Sequence, residues 1–551
     1  MKKPFRDRSN NEPSPLRPSR RDLLRLAVLA SGMPLVGCGD EPGGAADSGD
    51  TGPDSAADDT TAPDSGVADS GVADTGVADT EVVDTSLAEP AQGWPACDPE
   101  AALQTVTFVH VNDIHGNFNP TGDGISPVAR IRGFVDRVKR ENPFTVFTNG
   151  GDDFEKGSVA EVLSEGEATI EVVDALRFDV RAIGNHDFAW SKERVLEYSR
   201  SNWGPVLCGN VRYTGADPSR WGAVDFTAID VGCVRVGFFG LVSKPWNERN
   251  EQYDGDFYDT EFPSRWDPVE QARELVAAHR AEVDLLVFVS HLGVGTDREV
   301  AAAVEGIDVI LGAHSHTLLA QPERIGQTLI VQCGSSAGVI GRLDIEFDLR
   351  ARRRVSERFL MTPNLPGIVP HNERVQQVIE SVMARWAPDA DRTRGTVGAS
   401  CDTARIGRVA ARAAMAELSC QAAVVDLETV WKSWSAGALT QQDFIDTFKV
   451  ERQPAGTAGF NAFYVANVRG SGLTELVARA GERYVVAAPD AIDPDAWYRL
   501  AVQKILVTNT AYYLGVEIPL VDGNFAAEAW DLLDRFATQR TLEGRTLDEG
   551  L

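Results

Sequence analysis

Between Thr105 and Phe347 the chain alternates short, largely apolar runs with longer stretches whose apolar positions recur at helical spacing. Thr105–Val111, Thr145–Thr148, Val180–Ile183, Leu285–Val289 and Ile307–Leu311 are rich in β-branched and aromatic residues. They are too short for helices and mostly uncharged, so they predict strands buried on both faces. Val128–Val138, Thr169–Leu176 and Val269–Ala278 repeat apolar residues every three to four positions and predict helices with one buried face. Strands alternating with helices in this way predict an α/β architecture built on layered, mixed sheets.

Each of the five apolar runs ends in a polar motif able to bind a metal. The first leads into Asn112-Asp113-Ile114-His115-Gly116, the second into Gly150-Gly151-Asp152-Asp153, and the third into Gly184-Asn185-His186-Asp187. The fourth ends in Ser290-His291-Leu292-Gly293 and the fifth in Gly312-Ala313-His314-Ser315-His316. Rigid sheets bring such end loops together, which is why ligand sites in α/β folds gather there. The chain has only 8 histidines in 551 residues, and His115, His186, His291, His314 and His316 all fall in these motifs. Ordinary core or surface histidines would not cluster so. Mixed carboxylate, amide and imidazole donors suit manganese, zinc or iron; calcium takes oxygen ligands alone.

These motifs, in this order and spacing across residues 105–345, resemble those of the calcineurin-like metallophosphoesterases, and within them the 5′-nucleotidase family. His110-Val111-Asn112-Asp113-Ile114-His115-Gly116 is close to that family's opening motif. The resemblance implies a four-layer sandwich, with mixed sheets flanked by helices, plus a smaller α+β C-terminal domain. It also implies two divalent metal ions (Mn, Zn or Fe). One would be held by Asp113, His115, Asp152 and His316, the other by Asp152, Asn185, His291 and His314, with Asp152 bridging. Such a pair clamps phosphoryl oxygens and activates a water for attack on phosphorus. His186 corresponds to the residue that stabilises or protonates the departing oxygen, and Asn185 to one that also meets the substrate.

The family's pattern breaks in two places. An Asp that orients the histidine usually stands three residues after it, where this chain has Ala189. Related branches place the orienting carboxylate three residues after the bridging Asp, and Glu155 occupies that position. In the C-terminal region, Arg405–Ala410 and Ala436–Asp443 resemble segments of the 5′-nucleotidase second domain. The expected Asn-Gly-Gly and its neighbouring Arg are replaced by Asp426–Lys432, and the late Gly-Gly-Asp-Gly turn by Thr508–Tyr513. Tyr512 and Tyr513 are the candidates for stacking on a base, and Lys432 for meeting a phosphate.

Composition sets the surroundings of this site. Apolar residues make up 43% of the chain, enough for a sizeable core, and its length predicts two or three domains. The net charge of −29 excludes a general nucleic-acid binder. Bound cations would still let an acidic protein take a small phosphorylated substrate, such as a nucleotide. Near the N-terminus, Ser19-Arg20-Arg21-Asp22-Leu23-Leu24-Arg25 resembles a twin-arginine signal. The apolar stretch Leu26–Val36 is too short to span a bilayer and ends in Leu35-Val36-Gly37-Cys38, which resembles a lipobox. These features predict residues 1–37 as a signal peptide read by the twin-arginine export machinery. Cys38 would be lipidated, leaving the protein anchored to a membrane in the periplasm or cell envelope. Residues 38–96, rich in Asp, Ala, Thr and Gly, predict a disordered linker that carries about half of the excess negative charge. The catalytic domain is expected at 97–365 and the C-terminal domain at 370–551. The six remaining cysteines allow fifteen pairings.

The function expected is that of an exported phosphohydrolase in nucleotide catabolism. The alternatives are a hydrolase of another phosphoester or a sulfur ester, and a surface binding protein with a vestigial site.

Overall fold

The computed structural model describes residues 93–551, apart from 156, 201, 246–251, 253, 449, 451–458, 460, 482, 508–513 and 515–519. Cys38, the export and lipidation motifs, most of the acidic linker, Tyr512 and Tyr513 lie outside the described residues.

The N-terminal part is built on two six-stranded sheets. Strands β1 (Leu103–Val111), β2 (Thr145–Asn149), β3 (Val180–Ala182) and β4 (Val206–Leu207) run parallel in the first. The chain then lays down β5 (Phe226–Val231), β6 (Val234–Val242), β7 (Leu285–His291), β8 (Val309–Gly312), β9 (Glu323–Ile325) and β10 (Thr328–Val331) as the second. It returns with β11 (Val339–Asp348) and β12 (Arg353–Pro363), which add antiparallel to β1 and complete the order β12-β11-β1-β2-β3-β4.

Alternation along the strands explains why the predicting runs are apolar nearly throughout. Val106 and Phe108 of β1 face Val236 and Phe238 of β6 and Leu285, Val287 and Val289 of β7 in a core between the sheets. On the other face, Val109 and Val111 meet the helices Pro127–Glu141 and Glu167–Leu176. On the far side, Phe239, Leu286, Phe288 and Ile310 meet the helices Pro268–His279 and Val294–Ala303. The result is the expected order of four layers: helix, sheet, sheet, helix.

Local chemistry sets the helix ends. Pro127 takes the first position of its helix, where a missing N–H costs nothing. Ser126 caps the start by accepting the Val128 N–H, and Lys139 and Arg140 lie at the negative end of the helix dipole.

The C-terminal part holds a two-stranded sheet, β13 (Thr393–Val397) with β15 (Gly437–Thr440), and a five-stranded one. The latter runs in the order β17-β14-β18-β16-β19, from β14 (Ala422–Asp426), β16 (Phe463–Arg469), β17 (Tyr484–Ala487), β18 (Trp497–Gln503) and β19 (Leu520–Ala527). The helices Thr403–Glu417 and Ala529–Leu542 cover one face of it. The helix Glu373–Trp386, placed by the sequence in the C-terminal domain, packs instead on the N-terminal part. Its apolar stripe of Val375, Ile379 and Val382 completes the core of the first sheet.

A disulfide joins Cys97 to Cys233, tying the segment before β1 to the turn between β5 and β6. Cys208, Cys333, Cys401 and Cys420 are buried thiols. No helix among the described residues is long and apolar enough to cross a membrane.

Candidate metal centre

The ends of β1, β2, β3, β7 and β8 converge, and they bring two groups of donors together: Asp113, His115 and His316, and Asp152, His291 and His314. Asp152 stands between the groups, its Oδ2 3.0 Å from His291 Nε2 and 4.0 Å from His115 Nε2. In the first group His316 Nε2 lies 3.4 Å from Asp113 Oδ1 and 3.0 Å from His115 Nε2. Asn185 joins the second through its Oδ1, 3.2 Å from His291 Nε2. All seven ligands expected from the sequence therefore border one space.

Left-handed backbone turns the donors inward. Asp113, His115, Asp152, Glu155, His314 and His316 all have φ between 51° and 71°. Such conformations cost about 1–3 kcal/mol each in residues other than glycine, so the surroundings must impose them. The first two loops run side by side and exchange backbone bonds: Asp113 N–H donates to Gly151 O, His115 N–H to Asp152 O, and Gly116 N–H to Asp153 O. Asp187 clamps the second loop to the third. Its buried carboxylate accepts the N–H groups of Asp152, Asp153 and Gly184 at 3.1, 2.9 and 2.7 Å. The fit is close, because a Cβ on Gly184 would come within 2.1 Å of Asp152 Oδ1.

The donor set fits cations. His115 Nδ1 lies 3.0 Å from Phe154 O, and His291 Nδ1 lies 2.7 Å from Gly150 O. Carbonyl oxygens only accept, so each Nδ1 carries a proton, and each Nε2, directed at the carboxylates, avoids repelling them only by taking a second proton or meeting a cation. Although burial opposes it, Asp152 and Asp113 push the His291 pKa up to about 9. Asp152 is held well below its usual range, against the effect of burial, by His291 and His186. Burial and the neighbouring His291 lower His314 to about 4. Protons and divalent cations compete for such atoms.

Beside this cluster His186 donates its backbone N–H to Asp152 Oδ1 at 2.7 Å, and its imidazole stands edge-on to that of His115. His186 Nδ1 lies 2.5 Å from Glu155 Oε2, and the Glu155 carboxylate is fully buried. Ala189 follows the one-turn helix His186–Phe188 and presents only a methyl group. The N–H of Glu155 donates to Oε1 of Glu161, which also accepts the Trp190 indole N–H at 2.9 Å.

Three residues of this centre were missed in the sequence. Ser243 follows the apolar strand β6, the same signal that exposed the other motifs, and its hydroxyl donates to Asn185 Oδ1 at 2.9 Å. Asp187 was visible but had no assigned role, and Glu161 had no motif at all. Lys432, the candidate for meeting a phosphate, pairs with Asp446 at 3.0 Å and Asp443 at 3.4 Å.

Burial pushes the Glu161 carboxyl up to about 7. The folded protein then binds this proton more tightly than the unfolded chain, so stability falls as pH rises from about 4.5 to 7 and stays low above that. Glu161→Gln keeps the acceptor oxygen and removes the charge. Its stability relative to wild type is expected to rise by up to on the order of 3 kcal/mol between pH 4.5 and 8. Thermal melts at both pH values check this, and a stability difference independent of pH would refute it.

Residues 106–318 match the family model of the calcineurin-like phosphoesterases. The match covers under half of the chain. The chain is similar to human 5′-nucleotidase, 26% identical over 239 residues that make up 41% of this chain and 40% of that protein. It is also similar to the trifunctional nucleotide phosphoesterase protein YfkN of Bacillus subtilis, 22% identical over 284 residues, 45% of this chain and 18% of that protein. The chain thus spans under half the length of these relatives. Over both parts, its fold is similar to that of a 5′-nucleotidase precursor from Thermus thermophilus. The TM-score is 0.60 at 20% identity, covering 79% of this chain and 97% of the other. A sulfate thiohydrolase from Thermus thermophilus shares the fold at a TM-score of 0.56 and 16% identity, covering 80% of this chain and 94% of the other.

Proposed function

We propose that the chain is a dinuclear metal-dependent phosphohydrolase that cleaves phosphate monoesters, nucleotides among them, outside the cytoplasm. The observation that carries this reading is the convergence of the two donor groups on Asp152, with the His186–Glu155 pair at their edge. Asp113, His115, Asp152 and His316 would hold one cation, and Asp152, Asn185, His291 and His314 the other. Two divalent ions, when bound, supply Lewis acidity for the phosphoryl oxygens and lower the pKa of a water. The chain's own groups do the rest. Asn185 Nδ2 is buried without a hydrogen-bond partner among the described residues, which suits a donor to a phosphoryl oxygen. As the water oxygen bonds to phosphorus and the ester P–O bond breaks, His186 gives its proton to the departing oxygen. Glu155 holds the imidazole charged until then. A site kept only for binding would have no use for that proton.

The catalytic unit in this reading runs from residue 97 to 365 and includes the helix Glu373–Trp386 packed on it. The remainder, to 551, is a 5′-nucleotidase C-terminal-like domain. Export by the twin-arginine route and lipidation at Cys38 would place the enzyme at the cell envelope, where a disulfide such as Cys97–Cys233 persists.

Hydrolysis of 4-nitrophenyl phosphate that is lost on chelation and restored by Mn, Zn or Fe tests the reading, and inactivity with every metal would overturn it. AMP is expected to be cleaved no more than about tenfold faster, because the usual phosphate-binding Arg is missing and Lys432 is engaged with two carboxylates. A strong preference among bases would show instead that Tyr512, Tyr513 or residues not recognised from the sequence rebuild a nucleobase pocket.

A further inference from the structure

Glu155 and Gly157–Val159 are held by groups outside their own segment, and Glu155 thereby meets His186. Glu155 adopts φ +67°, which a glutamate takes up only when its surroundings require it. Glu161 fixes one end by accepting the Glu155 N–H. The middle lies flat on the first metal loop, where a Cβ on Gly157 would come within 2.0 Å of Gly116 C and 2.3 Å of His115 O. The other end is gripped from the C-terminal part of the chain. Gln442 accepts the Val159 N–H at 2.9 Å and donates to the Gly157 carbonyl at 2.7 Å.

A side-chain amide that satisfies a donor and an acceptor two residues apart fixes the backbone much as a β-ladder would. Gln442 is well placed to do so. It sits in the first turn of the helix Gln441–Thr447, which a Thr440–Asp443 capping box holds in place, and its amide also donates to Asp446 at 2.8 Å.

We propose that Gln442 is a positioning residue for His186: by clamping Gly157 and Val159 it sets where the Glu155 carboxylate meets the imidazole. The C-terminal part thereby tunes protonation of the leaving group without touching the metal centre. This rests on the reading of His186 as the acid.

The test compares full-length, metal-loaded wild type and Gln442→Ala on phosphate monoesters of graded leaving-group basicity. For an alkyl ester, whose oxygen must be protonated, kcat is expected to fall about tenfold; for 4-nitrophenyl phosphate it should fall less than about twofold, with KM and metal content unchanged. A second readout needs neither metal nor turnover. In the metal-free protein, the downfield proton resonance of the His186–Glu155 bond, assigned by its loss in His186→Asn, is expected to move upfield in Gln442→Ala. Glu161→Leu should reproduce both effects, and Glu161→Gln, which keeps the acceptor, should rescue them. If Gln442→Ala fails to fold, Gln442→Glu, which keeps the acceptor and loses the donor, must show the same signature.

Equal losses on all esters, or no loss, with an unmoved resonance would overturn the proposal. Wild type inactive on every ester would instead sink the phosphohydrolase reading, and the resonance alone would then decide the role of Gln442.

Discussion

Asp152→Ala is expected to strip both metal ions from the purified protein and to lower phosphoester turnover by at least about a thousandfold, the scale of losing the main stabilisation of charge in a transition state. The expectation follows from position. Asp152 Oδ2 faces His291 of one donor group and His115 of the other, which suits it to serve both. His316→Ala should behave differently. It removes one donor from the Asp113 and His115 group and leaves Asp152, His291 and His314 in place, so it should lose one ion and keep the second. Elemental analysis of metal-reconstituted proteins distinguishes the two. An active wild type with a single ion per chain would refute the dinuclear centre, and an Asp152→Ala protein that keeps both ions would refute bridging.

Much of this centre was legible in the sequence because two simple physical signals coincide there. Strands buried on both faces must be apolar at nearly every position, so Thr105–Val111 and Leu285–Val289 stood out, and a polar motif directly after such a run marks the sheet edge. Histidine is scarce in this chain, which made its concentration in those motifs informative. The same logic would have reached Ser243 after β6. Asp187 and Glu161 illustrate what sequence does not carry. Both act on backbone N–H groups, and almost any residue supplies those, so no pairing of side-chain types pointed to them. Gln442 contacts a loop 285 positions earlier in the chain, a relation fixed only by how the two parts pack. The Cys97–Cys233 bond likewise needed β1 and β6 brought into different sheets with their starts adjacent.

Glu155→Gln is expected to lower turnover by about ten- to a hundredfold with metal content unchanged, at or below the usual range of a general acid–base contribution. The amide keeps the shape and can still accept a hydrogen bond from His186 Nδ1, but it no longer offsets the charge of a protonated imidazole. At 2.5 Å from a fully buried carboxylate, that charge has a strong partner to lose. His186→Ala should cost at least as much, and adding Glu155→Gln to it should cost little more, because the carboxylate acts only through the ring. Ala189→Asp provides the converse test. Residues three apart eclipse one another in a one-turn 3₁₀ helix, so a carboxylate at 189 rises beside His186. It should restore part of the activity of Glu155→Gln and add nothing to wild type. The site is buried and Glu155 already engages His186 Nδ1 in the wild-type background, so the aspartate of the single variant lacks a partner and a lowered melting temperature is expected. Full activity in Glu155→Gln together with loss in His186→Ala would show that the histidine works without this carboxylate. Equal impairment of Glu155→Gln on alkyl and 4-nitrophenyl esters would show that Glu155 supports the loop and not the proton.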